Sequence, residues 1–181
     1  MPGSDAAAVA NWPPVPACYG WLSLDRRGGW KLKGQPIRHD GLISFINANY
    51  GPDEAGNWIF RNGPQTVFVS LDYTPLVVRL ESDGSLTAHT GKAAGAVAAV
   101  YLDEAGNVLL HAAAGIGVLD DRDLATFVVE CRDTAGAPAT EAALLGTQAG
   151  DSPVFWRGIR LQAISCKDVP LQFGFQPSPA R

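Results

Sequence analysis

Trp21-Leu22-Ser23-Leu24-Asp25-Arg26-Arg27-Gly28-Gly29-Trp30-Lys31-Leu32-Lys33 is the stretch on which the fold turns. Trp21 to Leu24 alternates apolar with smaller or polar side chains, and Trp30 to Lys33 resumes a strict period of two. Asp25 to Gly29 between them supplies turn chemistry. The segment predicts a hairpin, and everything that follows is read as what packs against it.

Downstream, Asp40-Gly41-Leu42-Ile43-Ser44-Phe45-Ile46-Asn47-Ala48-Asn49-Tyr50-Gly51 puts Leu42, Phe45, Ile46 and Asn49-Tyr50 at helical spacing, with His39-Asp40 as cap and Gly51 as stop. Asn57 to Phe60, Thr66 to Leu71 and Leu76 to Leu80 then read as strands, being rich in β-branched and aromatic residues and parted by turn clusters. The first half is therefore β-β-α-β-β-β. Upstream, residues 1–17 form an Ala- and Pro-rich leader in which Trp12-Pro13-Pro14-Val15-Pro16 suits neither a helix nor a central strand, and Trp12 is its one anchor.

The same order of signals recurs. Leu24-Asp25-Arg26-Arg27-Gly28 matches Leu102-Asp103-Glu104-Ala105-Gly106, and Leu42-Ile43-Ser44-Phe45 matches Leu124-Ala125-Thr126-Phe127, each after an acidic cap. Thr74-Pro75-Leu76-Val77-Val78 matches Val169-Pro170-Leu171-Gln172-Phe173, with proline opening a last strand in each. Asp53-Glu54-Ala55-Gly56-Asn57 and Asp103-Glu104-Ala105-Gly106-Asn107 repeat five letters out of that register. We read an α+β chain of two tandem β-rich repeats over 18–84 and 85–181, with antiparallel sheets, one short helix in each, and a loop at 134–152 holding one short helical turn.

The series Leu24 to Trp30, Gly34-Gln35-Pro36-Ile37-Arg38, Leu42 with Phe45, and Asp72-Tyr73-Thr74-Pro75-Leu76-Val77-Val78 resembles an uncharacterised proteobacterial family of unknown function, with a DGxW turn, a GxPI.R segment, a helix and an ED.PF strand. The likeness spans residues 20–176 and departs at Arg27-Gly28-Gly29 and in the loop before Val154. It implies a tandem α+β repeat fold with strongly bent sheets, for which a part in signalling has been suggested on structural grounds. It carries no catalytic residues to transfer.

Composition narrows the function. The chain has 181 residues, 46% of them hydrophobic, which is enough for a real core. A net charge of −4 leaves no excess of cations for a phosphate backbone, so nucleic acid is not expected. Arg26-Arg27 with Lys31 and Lys33 reads as the solvated face of the hairpin. The apolar windows at 93–102 and 108–119 are shorter than the ~18–20 residues of a membrane helix and are broken by charge. The amino terminus lacks the basic and apolar regions of a signal or transit peptide, and a cytoplasmic setting is expected. Cys18, Cys131 and Cys166 have no pairing framework or CxxC spacing, and read as reduced thiols.

No chemistry-bearing motif stands out. His39, His89 and His111 are scattered without metal-ligand spacing, and Ala114-Gly115-Ile116-Gly117 lacks the rest of a dinucleotide fingerprint. Asp120-Asp121-Arg122-Asp123 reads as a solvated helix start rather than a cation site. The feature of interest is Arg61-Asn62-Gly63-Pro64-Gln65: Arg61 would hold a carboxylate or phosphate, with Gln65 beside it and Trp58 and Tyr73 as an aromatic floor. A plain hairpin turn explains the same residues. The leading expectation is a non-enzymatic module that binds a small molecule or protein partner, with no cofactor and no metal. Rival readings are a homodimeric scaffold formed by edge pairing, and an enzyme drawing on Cys131, Cys166 and His111.

Overall fold

The computed structural model describes residues 12–180. They divide into a first unit, residues 12–73 with 174–180, and a second unit, residues 74–173.

The first unit runs β1 (Ala17–Leu24), β2 (Trp30–Leu32), β3 (Gln35–Pro36), α1 (Asp40–Ala48), β4 (Tyr50–Pro52), β5 (Trp58–Asn62) and β6 (Gln65–Leu71). Its six strands form one sheet in the order β3-β2-β1-β6-β5-β4. The predicted hairpin is present, with Leu24 opposite Trp30 and Leu22 opposite Leu32. Asp25 makes its turn: the carboxylate accepts from the amides of Arg27 and Gly29 at 2.9 and 2.8 Å. Alternation then sets the core, in which Leu22, Leu24, Ile46, Phe60, Val67 and Val69 are at most 1% exposed. Helix α1 buries Leu42 and Ile46, an i, i+4 pair, sets Phe45 edge-on to Phe60 at 5.4 Å, and accepts a bond from Trp30 Nε1 through Asn47 Oδ1 at 2.8 Å. His39 caps it as expected, Nδ1 accepting from the Leu42 amide. Asn49, not Gly51, ends it, with its side-chain amide donating to Phe45 O at 2.9 Å, while Gly51 pairs with Ile59 in the sheet. Residues 174–180 complete this unit. Phe175 is buried, and the Leu71 and Gln176 amides donate to Pro177 O and Gly56 O.

The second unit runs β7 (Leu76–Leu80), β8 (Leu86–Ala88), β9 (Val97–Asp103), β10 (Val108–Ala112), β11 (Gly115–Leu119), a 3₁₀ turn (Asp121–Asp123), α2 (Leu124–Glu130), β12 (Cys131–Arg132), α3 (Glu141–Gly146), β13 (Phe155–Trp156), β14 (Ile159–Ile164) and α4 (Val169–Phe173). The strand order is β12-β13-β14-β9-β10-β11-β7-β8. Val100, Leu110, Phe127, Cys131, Val154 and Trp156 form the heart of its core. Gly117 lets β11 lie close to β7, since a Cβ there would stand 2.6 Å from Val78 Cγ2. The GxG at 115–117 is thus a packing feature.

Four expectations change. The sheets are mixed rather than antiparallel, because β1 pairs parallel with β6, β9 with β14, and β7 with β11. Each of the first two pairs is joined through an intervening helix and hairpin, the long connection that parallel pairing requires. Leu76–Leu80 lies in the second unit's sheet, and Val169–Phe173 is a helix, so the proline-led match between them does not hold. The second unit also carries α4 beyond the one expected helix, while α3 falls in the loop read as holding a short helical turn. Finally, Asp120 and Asp123 are buried, at 0% and 8% exposure, rather than solvated. Asp120 accepts from Arg122 Nε and Nη2 at 2.8 and 2.6 Å, and Asp123 from Arg79 Nε at 2.7 Å and the Leu80 amide at 3.0 Å. Their ion pairs fasten the start of α2 to β7.

Candidate functional site

The expected site on β5 and β6 is divided by the sheet. Side chains alternate along β5, so Trp58 and Phe60 share one face while Ile59 and Arg61 take the other. Gln65, opposite Asn62, joins the Trp58 face. Trp58 is buried against Tyr50 at 4.9 Å, and Arg61 is exposed opposite Thr66. Tyr73 is buried with the Arg26 guanidinium 4.7 Å above its ring. Gln65 lines a cleft. There its Nε2 donates to Pro13 O and Val15 O, at 2.6 Å each, and so ties down the segment before β1. That cleft, about 400 Å³, lies between Trp12–Pro16 and the β5–β6 turn. Trp12 is 8% exposed and packs on Phe60 at 5.9 Å, the anchor expected from sequence.

The second unit has a cleft at the turn between β13 and β14. Trp156 pairs with Ile159, leaving Arg157 and Gly158 as a two-residue turn with positive φ at both, 50° and 80°. The turn sets Trp156 inward, 1% exposed and stacked on Phe127 at 5.3 Å, and carries Arg157 over it, with the guanidinium carbon 4.4 Å from the indole centre. Arg157 donates Nε and Nη2 to the two oxygens of Glu130 at 2.9 and 3.2 Å, and Nη1 to Gly84 O at 2.6 Å. Beneath lies a cleft of about 430 Å³ whose walls include Leu86, Ala93, Val97, Trp156 and Ile159. Trp156 Nε1 is buried and has no hydrogen-bond partner. Trp12 Nε1 in the first unit is likewise buried without a partner.

A larger depression of about 530 Å³ on the other side of Arg157 is spent on internal bonds. Arg132 there donates to Val129 O and Cys131 O, and Asp133 accepts from the Ala135 and Ala137 amides. Sequence reasoning missed the Trp156 cleft, although Trp156-Arg157-Gly158 carried the signal of a short turn behind an aromatic residue.

The thiols are poorly placed for nucleophilic work. Burial pushes the Cys131 thiol up to about 11, and its Sγ donates to Phe127 O at 3.4 Å. A bond to Glu104, with burial second, raises Cys166. His111 packs on Phe173 at 5.1 Å. Among the described residues no group of three or more His, Cys, Asp or Glu converges as a metal site, and no helix is long and apolar enough to cross a membrane.

Fold and cleft together define a β-rich α+β protein of two sheet units with an apolar recess in the second. The chain belongs to the family DUF2944, described as protein of unknown function (DUF2946), whose model matches residues 1–180. Its fold is similar to that of a DUF1285 family protein from Silicibacter pomeroyi DSS-3, at 16% identity and a TM-score of 0.54, covering 89% of this chain and 88% of that one. A DUF1285 family protein from Shewanella baltica OS155 matches at 15% identity and a TM-score of 0.46, over 60% of this chain and 91% of that one. No curated protein matches.

Proposed function

We propose that this protein is a non-enzymatic module that binds a small molecule in the cleft beside Trp156. The observation that carries the reading is the apolar recess itself, whose lining includes Leu86, Ala93, Val97, Trp156 and Ile159, with the Arg157 guanidinium over the indole. Small-molecule sites are commonly built this way, from an apolar enclosure with a few placed polar groups. A module with no chemistry of its own acts through what its bound state presents to others, and signalling is the role this assigns. A fragment screen read by the indole N–H resonance of Trp156 tests it. Hits are expected to shift that signal, and Ala93→Trp, which fills the recess from its exposed rim, is expected to abolish them. A screen in which no fragment moves Trp156 refutes the proposal.

We further propose that the two units are copies of one β-β-β-α-β-β-β motif. What supports this is the strand order. β3-β2-β1-β6-β5-β4 in the first unit corresponds to β11-β10-β9-β14-β13-β12 in the second, with β7 and β8 added at the β11 edge. Aspartate turns also correspond, Asp25 with Asp103 after the first strand and Asp53 with Asp133 after the fourth. An experimental structure in which residues 17–71 and 97–164 fail to superimpose would overturn it.

A further inference from the structure

We infer that a second cleft, between β14 and the chain that follows α3, binds a small-molecule carboxylate through Arg160 and the uncovered edge of β14. This cleft, about 510 Å³, shares no lining residue with the one beside Trp156, so the two readings stand or fall separately. The second unit has five arginines, at 79, 122, 132, 157 and 160. Four are spent inside the fold: Arg79 on Asp123, Arg122 on Asp120, Arg132 on the carbonyls of Val129 and Cys131, and Arg157 on Glu130 and Gly84 O. The Arg160 side chain is exposed and has no hydrogen-bond or ion-pair partner among the described residues. It is also the charged residue among the described lining of the cleft, so no carboxylate of the wall competes for it. A planar guanidinium fork matches the two oxygens of a carboxylate, and a single positive charge calls for a single negative one.

The backbone supplies a second, independent observation. β13 is two residues long and covers β14 as far as Arg160, which stands opposite Phe155. One residue on, the Leu161 amide still donates to Val154 O at 2.8 Å. Main-chain amides point to alternate sides of a strand, so the Ala163 N–H lies on the same side as that of Leu161, past the reach of β13, where Ala163 lines the cleft. That amide has no partner among the described residues. The facing wall is settled differently. The Ala149 and Gly150 amides donate to Gly146 O and Thr147 O at 3.1 and 3.2 Å, and Gln148 Nε2 donates to Leu102 O, which ties this wall to β9. The donors left to a ligand therefore all come from β14: the Arg160 guanidinium, the Ala163 N–H, and the side-chain amide of Gln162, two residues from Arg160 on the same strand face. A carboxylate takes up such donors in charge-assisted bonds, whereas a neutral carbonyl meets them without the charge.

The test titrates the full chain, labelled with ¹⁵N, at pH 6.5 with three probes: butyrate, butyramide and inorganic phosphate. The reporters are the Arg160 Nε–H signal, assigned by its disappearance in Arg160→Gln, and the Ala163 main-chain amide, with the Nε–H of Arg38, an exposed arginine outside this cleft, as control. Butyrate is expected to move both reporters saturably and leave Arg38 in place, and butyramide to bind at least about tenfold more weakly. Arg160→Gln, a change at an exposed side chain, is expected to keep the Tm and to weaken butyrate about tenfold, read at Ala163. If Arg38 moves in step with Arg160, the effect is general attraction of anions and the site fails. Butyramide binding as well as butyrate, or phosphate binding tenfold tighter than butyrate, would overturn the ligand class. An Arg160 signal that moves while Ala163 stays still would overturn the part given to the strand edge, and no movement of either refutes the inference outright.

Discussion

Replacing Asp120 by asparagine should weaken the second unit at neutral pH and do little in acid. The Asp120 side chain has no exposed surface and accepts from the Arg122 amide at 3.0 Å and from the Arg122 guanidinium at 2.8 and 2.6 Å. Those bonds, the guanidinium first, outweigh the burial that opposes ionisation and hold the carboxyl down at about 2. Against an ordinary value near 4, the shift of about two units corresponds to about 2–3 kcal/mol of differential stabilisation. Because the Arg122 side chain is 53% exposed, solvent screening reduces the expected figure to about 1–2 kcal/mol. The sign follows from linkage. A carboxyl with a lower pKa in the folded state contributes fully above about pH 5, and the contribution is lost as pH falls through about 2. Asp123, lowered chiefly by its bond from Arg79, acts in the same direction. Hydrogen-exchange mass spectrometry in urea measures the unit separately, with peptides over 76–80 and 115–123 as reporters and 65–71 as the internal control. Asp120→Asn should cost about 1–2 kcal/mol at pH 7 and approach zero near pH 2. An equal cost at both values, or none at pH 7, would show that the ion pair contributes nothing.

Gly117→Ala should lower the stability of the second unit by about 1–3 kcal/mol, because the new methyl meets Val78 Cγ2 at 2.6 Å and Leu76 Cβ at 3.2 Å between paired strands. Thermal melting measures it, and an unchanged Tm would mean that β7 yields freely. Cys166 should react with iodoacetamide at neutral pH more slowly than a free thiol, and Glu104→Gln should speed it, since Glu104 is the first cause of its raised pKa. Cys131 should stay silent until unfolding. A native Cys166 faster than a free thiol would revive the enzyme reading.

What the sequence disclosed follows from how local each signal is. The β1–β2 hairpin and the start of helix α1 are written in periodicity, turn residues and a cap, all within a dozen residues, and they stand as read, while the helix stops at Asn49 before the expected Gly51. β3 and β4 escaped notice because they are two and three residues long and contain Pro36 and Pro52, which argue against a strand except at a sheet edge. Thr74-Pro75-Leu76 and Val169-Pro170-Leu171 look alike, yet β7 is secured by parallel pairing to β11, a partner about forty residues on, which no local pattern encodes. The aspartates at 120 and 123 read as solvated for the same reason, since the Arg79 that meets Asp123 lies 44 residues away. The cleft was illegible because its lining comes from residues 84–86, 93–97 and 156–159, segments far apart in the sequence.

The strand edges bear on the scaffold reading. A dimer made by edge pairing needs a run of free backbone groups at the rim of a sheet. In the first unit the two edges are β3 and β4, each very short and each carrying a proline. In the second, β8 is already bridged by Ala93 opposite Thr87, and β12 by Pro138 opposite Arg132. Edges of this kind offer few free backbone groups to a partner strand. At the turn between its fifth and sixth strands the first unit sets the Gln65 amide onto Pro13 O and Val15 O, and at the β13–β14 turn of the second Arg157 spans Glu130 and Gly84 O. If the units are copies, they diverge at that corner, where Gln65 stands in one and Ile159 in the other.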